Sequence, residues 1–129
     1  MELNQVTVPC VDYDESVDFY TRLGLKQIVD SPPHYARFET PGGTTLSIHT
    51  SDARAGDGVV IYFEVDDLDA TFRRLGEQGF EFETAPRDQR WLWREAYLRD
   101  PASNRVCLFH AGSNRRFPPW RIDGEAPRG

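Results

Sequence analysis

Lysine, methionine and cysteine are scarce in this chain of 129 residues: Lys26 is the only lysine, Met1 the only methionine, and Cys10 and Cys107 the only cysteines. Two cysteines cannot build a disulfide framework, so a cytoplasmic location is expected, with one long-range bridge left as the alternative. No apolar run approaches the ~20 residues that cross a bilayer, and no membrane partner is expected. The opening MELNQVTVPC lacks a basic region ahead of its apolar stretch, so no signal peptide is expected either. Positive charge is also short: 15 Lys and Arg face 21 Asp and Glu, for a net charge of −6. The one positive cluster is small, around Arg115, Arg116 and Arg121. Nucleic acid is therefore not an expected partner, because its binders neutralise phosphates with a basic face. There is no GxGxxG, Walker loop, CxxC pair, HExxH or GxSxG, which leaves nucleotide binding and serine hydrolysis without support.

What the chain does have is aromatic content, with eight Phe, five Tyr and three Trp, too much for a disordered segment. Val6, Val8 and Cys10 alternate with Gln5, Thr7 and Pro9, the period of a strand with one face in a core. Asp12 and Glu15 have capping-box spacing, and Val17, Phe19, Tyr20 and Leu23 supply the apolar stripe of a helix that Gly24 ends. Three strands are predicted next, at Leu25–Val29, Tyr35–Glu39 and Thr44–Thr50, separated by Pro- and Gly-containing breaks. A Gly- and Asp-rich linker, Ser51–Gly58, follows, and the order then restarts. Val59–Val65 reads as a strand and Leu68, Phe72 and Leu75 as a helix stopped by Gly79. Weaker strands are predicted near Phe80–Thr84, Arg94–Leu98 and Arg105–Phe109. The last two are joined by a turn with Pro101 at its first corner and Asn104 as the residue tolerating positive φ. Strand-helix-strand-strand-strand thus occurs twice, at an offset of about 54 residues.

With these residues in place, the chain resembles the vicinal oxygen chelate superfamily, which includes glyoxalase I, bleomycin-resistance proteins and extradiol dioxygenases. The resemblance rests on Gln5 to Pro9 with Asp12, on Ser16, Phe19, Tyr20, Leu23, Gly24 and Leu25, on Tyr62 to Asp69, and on Asp100, Pro101, Asn104 and Arg105. It implies an α+β fold of two tandem βαβββ modules whose mixed sheets curl into an open cup, usually completed in a homodimer. The domain would span residues 1–110, with module one at about 1–52 and module two at about 58–110, followed by an extended tail at 111–129. In that tail Trp120 is expected to dock on the domain or on a second subunit.

The superfamily's metal enzymes draw ligands from four inward positions, which fall here on Gln5, Ser47, Val60 and Cys107. Val60 offers no donor and a single thiolate does not make a site, so no metal and no cofactor is expected. A divalent metal at a shifted site of Gln5, His49 and Cys107 is the alternative. Strand parity turns Gln5, Thr7, Ser47, His49, Val60, Tyr62 and Glu64 inward, with Tyr35, Arg37, Glu39 and Cys107. His49, Glu64 and Tyr62 are the acid–base candidates. Gln5, Arg37, Ser47, Trp93, Arg94 and Cys107 are the ligand-binding candidates. Arg37 suits a carboxylate or phosphate, or else a salt bridge to Glu39 or Glu64. Trp91 and Trp93 suit stacking on a planar ligand, or else packing at a strand edge. The expected function is binding of a small polar or aromatic molecule in a metal-free cup. A lyase, isomerase or dioxygenase that uses the shifted metal or His49 is the other reading.

Overall fold

Asp12 takes an extended backbone and its carboxyl oxygen accepts the Glu15 N–H at 2.9 Å, opening α1 (Tyr13–Leu23). Asp67 accepts the Ala70 N–H at 3.0 Å and opens α2 (Leu68–Glu77). Each cap satisfies one of the N–H groups that a helix start leaves unbonded. Gly24 ends α1 at φ 120°, where a side chain would be strained. The computed structural model describes residues 3–51 and 59–122. The expected linker past Ser51 and the tail past Ile122 lie outside the described residues.

Two four-stranded sheets share one plan. The first has the order β1-β4-β3-β2, made of β1 (Gln5–Cys10), β4 (Thr45–Thr50), β3 (Tyr35–Glu39) and β2 (Lys26–Ser31). β1 and β4 run parallel, whereas β3 is antiparallel to both β4 and β2. The second sheet repeats that order as β5 (Val60–Glu64), β8 (Arg105–His110), β7 (Arg94–Arg99) and β6 (Arg87–Asp88). The α+β class and the twofold βαβββ order predicted from the sequence are therefore both present.

One element moves. The strand expected near Phe80–Thr84 shrinks to a single bridge between Phe82 and Leu98, and the edge strand forms at Arg87–Asp88. The Glu83 and Thr84 N–H groups both turn to the Tyr97 carbonyl, at 2.8 and 3.3 Å, and Pro86 then has no N–H to extend the ladder.

The described residues form two compact units, one reaching to Val60 and including Arg99–Arg105, the other comprising Ile61–Leu98 and the chain from Val106 onward. In the first unit Val8, Cys10, Ala36, Phe38, Leu46 and Ile48 are buried, which is the face that alternation selects. Val6 is the exception at 40% exposure: α1 lies over β2 and β3, and β1 is the opposite edge strand. The buried stripe of α1 is Tyr13, Ser16 and Tyr20, with Tyr20 set 5.7 Å from Phe38 between ring centroids. Both cysteines are buried.

The turn at 100–104 departs from expectation. The residue with positive φ is Ser103, at 67°, while Asn104 is buried. Asn104 instead ties the turn to β1, since its side-chain N–H groups reach Asp100 Oδ2 at 2.6 Å and the Pro9 carbonyl at 2.9 Å. A left-handed backbone costs an L-residue about 1–2 kcal/mol. Glycine avoids that cost but loses more chain entropy on folding. Ser103→Gly is thus expected to stabilise the protein by about 0.5–1 kcal/mol, measured by urea denaturation; a destabilised variant would contradict it.

Candidate functional site

In the first unit the strand register lines up two rows on the face opposite the helix. Thr7, Ser47 and Arg37 are partners across β1, β4 and β3, and Pro9, His49 and Tyr35 are partners one pleat further on. Gln5 is paired with Thr45, whose hydroxyl donates to the Gln5 amide oxygen at 3.0 Å. Gln5 and His49 are exposed, whereas Ser47 is fully buried. The Ser47 hydroxyl lies 2.6 Å from Tyr35 Oη, and Arg37 Nε–H donates to the same oxygen at 2.9 Å. The hydrogen bond with Ser47, followed by the one from Arg37, draws the Tyr35 phenol below its ordinary value. Tyr35 therefore joins two of the expected ligand-binding residues. Its parity with Arg37 was the signal for it in the sequence.

In the second unit β7 and the loop before it supply most of the site. The loop is held by two hydrogen bonds, Gln89 N–H to the Trp93 carbonyl at 2.7 Å and Leu92 N–H to the Gln89 carbonyl at 3.0 Å. Leu92 sits at φ 70°, a conformation that costs a bulky residue about 1–2 kcal/mol. Trp91 and Trp93 do not form one continuous stacking face. Trp93 stacks on Phe109, with centroids 4.6 Å apart and planes 15° from parallel, and meets the edge of Tyr62 at 6.0 Å. Its indole N–H donates to the Asn114 carbonyl at 3.3 Å. Trp91 instead donates its indole N–H to Glu95 at 3.0 Å.

A cavity of about 590 Å³ opens here, its lining apolar at Leu92, Trp93 and Ala111 and polar at Asp88, Gln89, Arg94, His110 and Asn114. The Arg94 guanidinium binds both oxygens of Asp69, at 3.0 and 2.9 Å, and donates to Asp88 at 3.0 Å. It holds the Asp69 carboxyl below the usual carboxylate range, and each of its three nitrogens donates to a carboxylate oxygen. Glu64 accepts the N–H groups of Ala111 and Gly112 at 2.8 and 2.9 Å, anchoring the short turn Gly112–Asn114 that builds one cavity wall. His110 Nδ1 lies 2.8 Å from the Val65 carbonyl, which can only accept. The neutral ring thus carries its proton there and presents Nε2 as an acceptor.

Sequence reasoning missed His110, which lies one residue past the predicted strand end, and Glu95. Glu95 is 2% exposed and also accepts from Tyr97 Oη at 3.1 Å. Tyr62 is exposed, and Cys107 is fully buried with its Sγ 3.7 Å from the Leu108 carbonyl. In the tail Trp120 is 55% exposed; the ring that carries contacts is Phe117, under the guanidinium groups of Arg116 and Arg121 at 5.2 and 4.5 Å.

These donors do not suit the superfamily's metal. Val60 has none, the Ser47 hydroxyl is engaged by Tyr35, and the Gln5 oxygen is engaged by Thr45. Among the described residues no three His, Cys, Asp or Glu side chains converge as a metal site requires.

Comparison with known proteins agrees on the fold. The Glyoxalase/Bleomycin resistance protein/Dioxygenase superfamily profile matches residues 2–108. The uncharacterized protein YraH of Bacillus subtilis (strain 168) is 28% identical over 126 residues, covering 84% of this chain and 98% of YraH. A glyoxalase/bleomycin resistance protein/dioxygenase from Nocardioides superposes with a TM-score of 0.74 at 23% identity, over 100% of this chain and 89% of that one. A bleomycin-binding protein complexed with bleomycin superposes with a TM-score of 0.69 at 22% identity, over 85% of this chain and 98% of its own.

Proposed function

The chain belongs to the glyoxalase/bleomycin resistance protein/dioxygenase superfamily, and on that footing we propose that it binds a small planar molecule, without a metal, in the Trp93 cavity of its second unit. One observation carries this reading. Trp93, a cavity wall, is held by Phe109, Tyr62 and the Asn114 carbonyl, so its ring is already fixed before a ligand arrives. The volume, about 590 Å³, suits a small-molecule site. Gln89 and the bare Nε2 of His110 supply hydrogen bonds at the rim, which orient a polar heteroaromatic ring. Asp69 and Asp88 compensate the charge of Arg94, so among the described residues the lining offers no unpaired cation, and a neutral ligand fits best. A relative of the same fold is a bleomycin-binding protein, which supports ligand capture as a use of this architecture. Homodimerisation belongs to the same proposal.

A thermal-shift screen of small, neutral, planar heteroaromatic compounds tests it. A binding compound is expected to raise the melting temperature and to titrate saturably. Trp93→Ala should weaken that binding tenfold or more, since aromatic stacking contributes about 1–3 kcal/mol. Ligands indifferent to Trp93→Ala, or no stabilising compound of this class, would refute the reading.

A further inference from the structure

Two half-buried arginines on the sheets, Arg37 and Arg94, are wired differently. Arg94 meets three carboxyl oxygens and is a structural ion pair. Arg37 meets none: among the described residues no carboxyl group lies within ion-pair distance of it, although Glu39 is two residues away on the same strand face. Among the described residues its one hydrogen bond is from Nε to Tyr35 Oη, at 2.9 Å. The guanidinium carbon lies 5.5 Å from the centroid of the Tyr35 ring. Tyr35 Oη is in turn fixed by the fully buried Ser47 hydroxyl at 2.6 Å.

We infer that Arg37, clamped by Tyr35 and Ser47, is a recognition site for an oxyanion, the carboxylate or phosphate group of a small molecule. The two terminal nitrogens carry the parallel N–H pair that matches a carboxylate or phosphate edge, and neither has a partner among the described residues. An arginine on a flexible stem loses about 2 kcal/mol of rotamer entropy when it grips a ligand. Here the Nε bond has already removed much of that freedom, so ligand binding loses less. The neighbouring groups agree with an anion. Ser47 and Thr7 share the row of Arg37, and His49 is the register partner of Tyr35, so hydroxyl- and imidazole-bearing residues occupy the same sheet face as the fork. This inference is independent of the Trp93 cavity: it rests on other residues in the other unit, and each can fail without the other.

The test uses the full chain at constant ionic strength, with inorganic phosphate and acetate as probes and the Arg37 Nε–H resonance as readout. Arg37→Lys identifies that resonance by its loss. A saturable shift with phosphate, acetate or both is expected. Saturation by phosphate alone assigns a phosphate ester, and saturation by acetate assigns a carboxylate. By calorimetry with the saturating anion, Arg37→Lys should weaken binding about tenfold by losing the fork while keeping the charge and the fold. Tyr35→Phe should weaken it severalfold, because it keeps the ring and removes the clamping oxygen. Arg22→Gln, at an exposed helix site, should change nothing. A linear, unsaturable shift with both anions overturns the proposal, as does an equal loss in Arg22→Gln. Undiminished affinity in Tyr35→Phe overturns the clamp.

Discussion

Asp100→Ala is expected to cost about 3–5 kcal/mol of stability, because it removes the acceptor at the centre of a buried network. One Asp100 oxygen accepts the backbone N–H groups of Ala102 and Asn104 at 2.9 and 2.8 Å. The other accepts Tyr20 Oη–H at 2.7 Å and the Asn104 amide at 2.6 Å. Asp100 and Asn104 are each 4% exposed and Tyr20 is fully buried, so water cannot replace the lost acceptor without opening the unit. At about 3–4 °C per kcal/mol for a chain of this size, the melting temperature should fall by roughly 10–20 °C. Asp100→Asn should fall between the two, since its oxygen can still accept backbone N–H groups while its amide confronts other donors. Calorimetry decides, and an Asp100→Ala melting temperature within two or three degrees of the parent (roughly 1 kcal/mol) would show that the network carries little.

Stability should also collapse in alkali. Burial, then the Asp100 carboxyl, pushes the Tyr20 phenol well above its ordinary value. Burial, then Cys107 and Glu95, pushes up Tyr97. Burial, then Asp30, pushes Tyr13 up to about 12. A raised phenol keeps its proton in the folded state where the unfolded chain would lose it. The stability it contributes is complete below the ordinary value of about 10 and is lost as pH climbs from there towards the folded value. Each such phenol contributes a slope of up to about 1.4 kcal/mol per pH unit above about pH 10, until its own folded value is reached. Tyr35 acts in the opposite sense. Its phenol is lowered, so it adds stability as pH rises from its folded value to about 10, and nothing further above that. Few other groups titrate there, since Lys26 is the only lysine and arginine stays charged throughout. The Cys10 thiol, pushed up by burial, adds to the fall in the same sense, and Tyr20→Phe separates the phenol's share. Urea melts from pH 9 to 11.5 should show the fall, and Tyr20→Phe should flatten it. A profile level across that range would contradict the assignment.

The fold was legible in the sequence to a large degree, and the reason is local. Asp12 and Asp67 cap their helices through bonds to residues three positions on, and spacing along the chain displays such bonds directly. Val8, Phe38, Leu46 and Ile48 were recognisable as core because strand alternation assigns a face before any partner is known. The candidate site was legible only in part. Parity placed Arg37, Ser47 and Tyr35 on one face, yet the bond from Arg37 Nε to Tyr35 Oη depends on side-chain direction, which parity leaves open. Glu64 looked like an acid–base candidate, and its oxygens hold the turn at Ala111 and Gly112, 47 and 48 residues further on. Arg94 looked like a ligand fork, and Asp69 on α2 occupies it.

By itself, then, the sequence determined most of the helices and strands, the twofold order of those elements, the superfamily, and much of the core face of the first sheet. The elements and their faces follow from backbone periodicity and short-range capping, whose information lies within a few residues, and the superfamily follows from resemblance at particular residues. Tertiary structure alone decided which polar groups are engaged and which are left to meet a ligand. Asn104 reaches back 95 residues to the Pro9 carbonyl and Tyr20 forward 80 to Asp100. A hydrogen bond formed across such a separation is set by where two backbones meet in space, and no spacing along the chain encodes it.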